Sequence, residues 1–256
     1  MNPRHVSLSV ALLSCLWVAA PAAAQGWMTD PGAKPAQTVK SVIELFTSQG
    51  CSSCPDADAL LQKYADAEDL VALSFPVDYW DYLGWKDTLA SPKNAERQRA
   101  YAKRRGDGAV YTPQVVVNGI SHAVGSSQEE IDRAIVLTKA RFAASRVPVR
   151  LWHDQKNLII ETGDAPANAE HRQHTIWLAV VQRSANVAIK RGENSGKTVT
   201  YVNVVRELTH VGTFTGRAEI IRLARQAVEK PGTERLAVLI QEETGGPIIG
   251  AAWMGM

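Results

Sequence analysis

Cys51-Ser52-Ser53-Cys54 stands at the end of the apolar run Val42-Ile43-Glu44-Leu45-Phe46-Thr47 and directly ahead of Pro55. Two thiols at this spacing can hold a metal ion, or they can form and exchange a disulfide. A structural zinc site needs two further Cys or His ligands at suitable spacing. His122, His153, His171, His174 and His210 offer no such pair, because His171 and His174 read as surface residues of a strand-rich region. The zinc reading falls and no resident metal is assigned. Two readings stay open: a redox pair, and a soft-ion site that binds or delivers Cu(I) through both thiolates, with His122 as a further ligand.

Thiol exchange needs a thiolate, and a helix N-terminus supplies one. Its free N–H groups and positive dipole end lower a cysteine pKa from about 8.5 to roughly 3.5–7.5. That geometry makes Cys51 the exposed attacking thiolate and Cys54, one turn into the helix, the resolving thiol. Gly50 permits the tight turn that leads into the pair.

The elements that must position the pair are legible around it. Val42 to Thr47 reads as a buried strand, and Pro55 opens a helix to about Ala67 with Leu60, Leu61 and Tyr64 as its apolar face. Leu70 to Val77 reads as a second strand, so the three form a parallel βαβ unit. A polar helix from about Lys93 to Arg105 follows, its end charged by Lys103-Arg104-Arg105. Thr112-Pro113 then leads a short strand into the turn Asn118-Gly119, which predicts a hairpin. Ser127 and Glu130 form a capping box for a helix to about Ala144, with Ile131, Ile135 and Val136 inward.

From Val147 the pattern turns to strands. Val149 to Trp152 and Leu158 to Ile160 flank a turn, and further strands fit Thr175 to Gln182, Val199 to Val205, Leu236 to Gln241 and Pro247 to Trp253. Ala218 to Val228 suits either a strand or a short helix. Gly192 to Thr198 has one residue too few between its glycines for a phosphate loop and runs into a strand, so it reads as a hairpin turn. The chain divides into residues 1–24, 25–38, 39–146 and 147–256: a leader, an irregular arm, an α/β domain and a β-rich, sandwich-like domain.

The leader carries Arg4, an apolar stretch from Val6 to Ala20 and the small-residue site Ala22-Ala23-Ala24, a secretory pattern that places the protein in the periplasm or outside the cell. Cys15 loosely fits a lipoprotein processing site, but Leu16-Trp17-Val18 stay apolar where such a site turns polar, so cleavage after Ala24 is the reading adopted. Cys51 and Cys54 are then the only cysteines of a 232-residue mature chain. A chain of that size builds its core without staples, and so small a loop adds little chain-entropy stabilisation, which points to chemistry rather than architecture. With Arg4 removed, 27 basic residues face 26 acidic ones, which gives no electrostatic case for nucleic acid. No segment has the roughly 18 apolar residues that a spanning helix needs.

Glu44-Leu45-Phe46-Thr47-Ser48-Gln49-Gly50-Cys51-Ser52-Ser53-Cys54-Pro55, Val77 to Asp87, Arg97-Gln98-Arg99-Ala100-Tyr101 and Tyr111-Thr112-Pro113-Gln114 resemble the bacterial domain-of-unknown-function 1223 family. The resemblance covers about Val39 to Ala251 and implies a secreted, thioredoxin-like first domain of unassigned substrate. It implies a cis Pro113 facing the cysteines, with Thr112 offering its backbone to a substrate chain. Many thioredoxins carry a buried carboxylate six residues before the first cysteine; here that place is Leu45, and Glu44 lies one position earlier. Strand alternation turns Glu44 to the other face unless a bulge intervenes, so proton transfer and a structural role are both open to it. Trp80 and Trp85 either wall the site or pack as core beneath a loop, and Ser52 and Ser53 join Thr112 as substrate-contacting candidates. Together these readings predict an extracytoplasmic thiol-disulfide oxidoreductase. It would act on a protein or small thiol, need no cofactor, and depend on a separate redox partner, since no second cysteine pair can relay electrons.

Overall fold

The computed structural model describes residues 38–167, 173–230, 232–243 and 245–256. The leader with Cys15, the arm through residue 37 and His171 lie outside the described residues. Strand β1 (Ser41–Thr47) is buried along its whole length, as a strand with apolar residues on both faces must be. Helix α1 (Pro55–Ala65) starts on Pro55, whose missing N–H costs nothing at a helix N-terminus. It returns the chain to β2 (Leu70–Pro76), which lies parallel to β1 in register from Ser41↔Leu70 to Thr47↔Pro76. Helix α2 (Pro92–Arg105) ends on Gly106 at φ 80°.

Strands β3 (Gln114–Val117) and β4 (Ser121–Val124) pair antiparallel through Asn118 at φ 54° and Gly119 at φ 66°. This is the left-handed pair that an Asn-Gly turn supplies at least cost. A side chain at Gly119 would also strike the Gly246 carbonyl oxygen at 2.4 Å. Asn118 is a junction: its carbonyl accepts from Ser41 Oγ and Val42 N at 3.0 and 2.8 Å, and its amide donates to Thr138 Oγ1 at 2.8 Å. Thr138 belongs to α3 (Gln128–Ser145), so one buried amide ties β1, the hairpin and the third helix together.

Two sequence expectations fail on α3. Ser127 Oγ accepts from Glu130 N, but the Glu130 carboxylate bonds Val124 N at 3.0 Å rather than closing the capping box. Val136 is 71% exposed, whereas Ile131, Ala134, Thr138 and Phe142 form the buried stripe. Five residues beyond Ile131 is about 140° around the helix, so both cannot face the core.

The second half contributes β5 (Val149–His153), β6 (Asn157–Thr162), β7 (His174–Ala188), β8 (Thr198–Phe214), β9 (Glu219–Ala224), β10 (Arg235–Glu242) and β11 (Ile248–Gly255). The ambiguous stretch is both things in turn, β9 followed by the single turn α4 (Arg225–Val228). The fold is mixed α/β, with an eight-stranded sheet in the order β11-β10-β7-β8-β2-β1-β3-β4 and a small sheet β5-β6-β9. Residues 146 and 147 divide the chain by pattern, yet strands from both sides share the large sheet. They meet at Ser74↔Val204, beside Asn203, whose amide donates to the Ala72 carbonyl at 2.9 Å.

Alternation along β1 sorts the core. Ile43 and Leu45 pack with Leu61, Tyr64, Val115 and Ile131 beneath α1 and α3. Val42 and Phe46 pack on the other face with Phe75 and Tyr101 of α2. The small sheet lays Leu151, Leu158 and Ile160 against Leu178, Val238 and Ile240 of the large one, a two-layer apolar core.

Candidate functional site

The chain leaves β1 at Thr47 and turns at once. Ser48 Oγ accepts from Gly50 N at 3.1 Å, the Ser48 carbonyl accepts from Cys51 N at 3.2 Å, and the Cys51 carbonyl accepts from Cys54 N at 3.2 Å. Cys51 and Cys54 form a disulfide with a Cα–Cα distance of 5.4 Å. Cys54 is the N-cap of α1 and its carbonyl accepts from Ala57 N and Asp58 N. It is therefore not one turn inside the helix as the spacing predicts; Pro55 takes the first helical position because its φ is preset for it. Nor is Cys51 exposed. It is 3% accessible and Cys54 0%, while Ser52 and Ser53 face solvent and Ser53 Oγ lies 3.4 Å from Cys51 Sγ.

Two distant loops close on the turn that carries Cys51. In the first, Trp80 donates its indole N–H to Thr112 Oγ1 at 2.7 Å, and Trp85 donates its own to Gln49 Oε1 at 2.8 Å. Asp87 accepts from Gln49 N, Leu89 N and Ala90 N at 2.8, 2.8 and 3.1 Å. Gly50 is glycine for closeness rather than for turn conformation: a Cβ there would lie 3.0 Å from Trp80 Cβ. The half-buried rings of Trp80 and Trp85 brace the loop, while Tyr82, 76% exposed, stacks on Trp80 at 6.3 Å. The tip of Trp85 reaches Gln49, not the acids of its own loop.

The second loop is the turn between β7 and β8, in which pattern alone reveals only a hairpin. Its Asn194 is 1% exposed and donates from one amide nitrogen to the carbonyls of Gln49 and Cys51 at 3.0 and 2.8 Å. Lys197 Nζ holds the Asn194 carbonyl oxygen at 2.9 Å, and Glu193 accepts from Ser52 N at 3.3 Å. A polar residue flanked by glycines carries no sign of burial, so nothing in the local sequence marks Asn194. Thr112–Pro113 is a cis peptide. A Cβ built on Gly125 would lie 2.9 Å from Pro113 Cβ, 3.2 Å from Ala57 Cβ and 2.8 Å from Leu45 Cδ1, so Pro113 sits against the first turn of α1, which Cys54 caps.

Residues 42–241 match the family described as "Protein of unknown function (DUF1223)". The chain belongs to this family. Its fold is similar to the X-ray structure of protein AGR_C_4864 from Agrobacterium tumefaciens, at 34% identity and TM-score 0.75 over 86% of this chain and 96% of that one. HBP35 of Porphyromonas gingivalis shares the fold at TM-score 0.59 and 12% identity, over 87% of this chain and 77% of the other. No protein of curated function matches.

In this DUF1223 protein two buried acids that flank the cysteines in sequence, Glu44 and Asp58, lie on opposite sides of β1. Glu44 faces α2, where its carboxylate accepts from Arg97 Nη2 at 2.6 Å and from Arg97 Nε at 3.2 Å. Arg97 also bonds Tyr101 Oη at 2.7 Å and Gln241 Oε1 at 3.0 Å. Burial pushes the Arg97 guanidinium down, and the Glu44 carboxylate overrides this and keeps it cationic. No bulge interrupts the pairing of β1 with β2 or β3, so alternation holds Glu44 away from the helix that carries Cys54.

Asp58 is the acid on the cysteine side. It lies four residues after Cys54 on the buried face of α1, 2% exposed, and neither carboxylate oxygen has a hydrogen-bond partner. Burial drives its pKa well above the ordinary value; the nearby Thr47 hydroxyl opposes this and Asp87 adds to it. Burial raises the Tyr201 phenol too, helped by Asp58 and Asp87. His122 is committed elsewhere, with Nδ1 2.8 Å from Tyr111 Oη and Nε2 3.4 Å from Asp107 Oδ2. Among the described residues no group of three His, Cys, Asp or Glu side chains is arranged to hold a metal, and no helix is long and apolar enough to cross a membrane.

Proposed function

We propose that this protein is an extracytoplasmic thiol-disulfide oxidoreductase with a thioredoxin-like redox site. One observation carries the reading: a disulfide between neighbouring positions, placed where a parallel strand passes into a helix, with the Thr112–Pro113 loop against that helix's first turn. A loop this short stabilises the fold little, whereas the clusters around Phe46 and Leu45 supply an ample core. The order β1-α1-β2, then the hairpin β3-β4 and α3, supports the thioredoxin-like part of the reading.

In the oxidised protein a substrate thiolate attacks Cys51 Sγ. The Cys51–Cys54 bond breaks, a mixed disulfide forms on Cys51, and Cys54 departs as a thiolate that must be protonated. A second substrate thiolate then attacks the substrate-side sulfur and releases Cys51. The substrate dithiol loses two electrons to the protein disulfide. In the reverse direction Cys51 attacks and Cys54 resolves. Ser52 and Ser53, which are exposed, and the Trp80–Tyr82 stack beside Thr112 offer a contact surface for an incoming protein or small thiol. A separate redox partner must reset the pair. The secretory leader supports a periplasmic or secreted location.

After reduction, Cys54→Ser should accumulate a mixed disulfide with a model substrate and Cys51→Ser should not, as read by intact-protein mass spectrometry. A Cys51 that resists alkylation near neutral pH in the reduced protein sinks the proposal.

A further inference from the structure

Resting on the exchange reading above, we propose that Asp58 holds the proton that the Cys54 sulfur takes up when the disulfide opens and gives back when it closes. The placement makes the case. Cys54 is 0% exposed, so solvent cannot reach its sulfur directly. Asp58 follows it by one helical turn on the same buried face, its N–H bonded to the Cys54 carbonyl at 3.0 Å. Helical side chains lean toward the N-terminus, so the Asp58 carboxyl tilts over the turn that Cys54 caps.

The carboxyl is also chemically unemployed. Buried polar groups are nearly always hydrogen-bonded, and an exception calls for an explanation. Both Asp58 oxygens are unpartnered, whereas Asp87 close by is fully engaged by three backbone N–H groups. Asp58 also lines an open cleft of ≈ 400 Å³ with Pro55, Gln62, Thr198 and Thr200, which brings solvent to the edge of the residue while both carboxylate oxygens stay covered. It stands between solvent and a sulfur that solvent cannot touch.

Opening the disulfide breaks the Cys51–Cys54 bond and leaves the electron pair on Cys54. The proton moves from the Asp58 carboxyl to that thiolate, and the remaining carboxylate regains a proton from water in the cleft. On closing the steps run in reverse: the carboxyl releases its proton to water in the cleft, and the resulting carboxylate takes the Cys54 proton as the sulfur attacks Cys51 and the substrate thiolate leaves. Without the transfer, the Cys54 sulfur would be left ionised out of water, which burial makes costly. The titratable groups around Asp58 are Asp87 from the loop after β2, Tyr201 from β8 and Cys54 itself.

The test is the pH profile of disulfide opening by dithiothreitol, followed by stopped flow on the full-length protein, in wild type, Asp58→Asn and Asp58→Glu. The rate per unit of thiolate reagent should bend at the Asp58 titration in wild type. Asp58→Asn should abolish the bend and slow opening about a hundredfold or more, in line with the ordinary size of general acid catalysis, and Asp58→Glu should restore part of it. A carboxylic-acid C=O band in the infrared difference between reduced and oxidised protein, missing from Asp58→Asn, gives a readout that mere loss of packing would not. An Asp58→Asn profile that superimposes on wild type overturns the role of Asp58 and leaves the exchange reading standing. A wild-type disulfide that dithiothreitol cannot open, or a reduced Cys51 that resists alkylation, overturns the exchange reading itself.

Discussion

Glu44 and Asp58 are both buried acids beside the strand that leads to the cysteines, and the fold treats them in opposite ways. Glu44 accepts two hydrogen bonds from Arg97 inside a network that also holds Tyr101 and Gln241. Asp58 has no hydrogen-bond partner at either oxygen. A buried ionised carboxylate persists only when a cation and donors compensate its lost hydration; a buried neutral carboxyl survives alone because it need not ionise. The first arrangement fixes structure and the second keeps a proton. Two acids of similar burial thus have different duties, told apart by their partners.

The largest expected effect is on the Glu44 side. Arg97→Ala leaves a carboxylate uncompensated in the core and should cost about 3–5 kcal/mol in urea unfolding. Replacing both partners, as in Glu44→Leu with Arg97→Met, should cost less than either single change. A double variant worse than Arg97→Ala would break the contrast. Next comes the cover. Asn194→Ala strands the Gln49 carbonyl and takes one of two donors from the Cys51 carbonyl, and should cost about 1–3 kcal/mol. It should also speed the reduction of the disulfide by dithiothreitol, and an unchanged rate would mean that the β7–β8 turn does not control access.

Asp58→Asn should act in the other direction. Asp58 holds its proton more tightly in the folded chain, so above about pH 4 the unfolded chain binds fewer protons and stability falls as pH rises toward the folded pKa. The Asn variant lacks this slope. It should be more stable than wild type at pH 8 by about 1 kcal/mol and match it more closely at pH 4, with urea midpoints at the two pH values as the measurement. Smallest is an exposed reference. Lys40, first through its hydrogen bond, holds the Asp69 carboxyl below its ordinary pKa at the surface. Asp69→Asn should cost less than about 1 kcal/mol, and less still in high salt.

Local pattern carried much of the site's frame. Pro55 after a short apolar run set the strand-to-helix passage, Asn118-Gly119 set the hairpin, and Ser127 set the start of α3. Each is a statement about φ, a missing N–H or a cap, and such preferences act over a few residues. Pattern failed wherever a contact spans the chain. Asn194 bonds a carbonyl 143 positions away, and Asp58 reads in sequence as an ordinary acid favoured in a helix's first turn. Strands β7 and β8 run to 15 and 17 residues, far beyond their apolar stretches, because they pair through backbone groups that ignore side-chain polarity.

By itself, then, the sequence determined that two cysteines would stand three apart at the start of a helix, since that depends only on covalent order and local backbone preference. Tertiary structure decided that both sulfurs would be covered, that Glu44 would meet Arg97, and that Asp58 would be left without a partner. Burial is a property of what packs from elsewhere in the chain, and it is burial that separates a carboxylate bound into the framework from a carboxyl that keeps its proton.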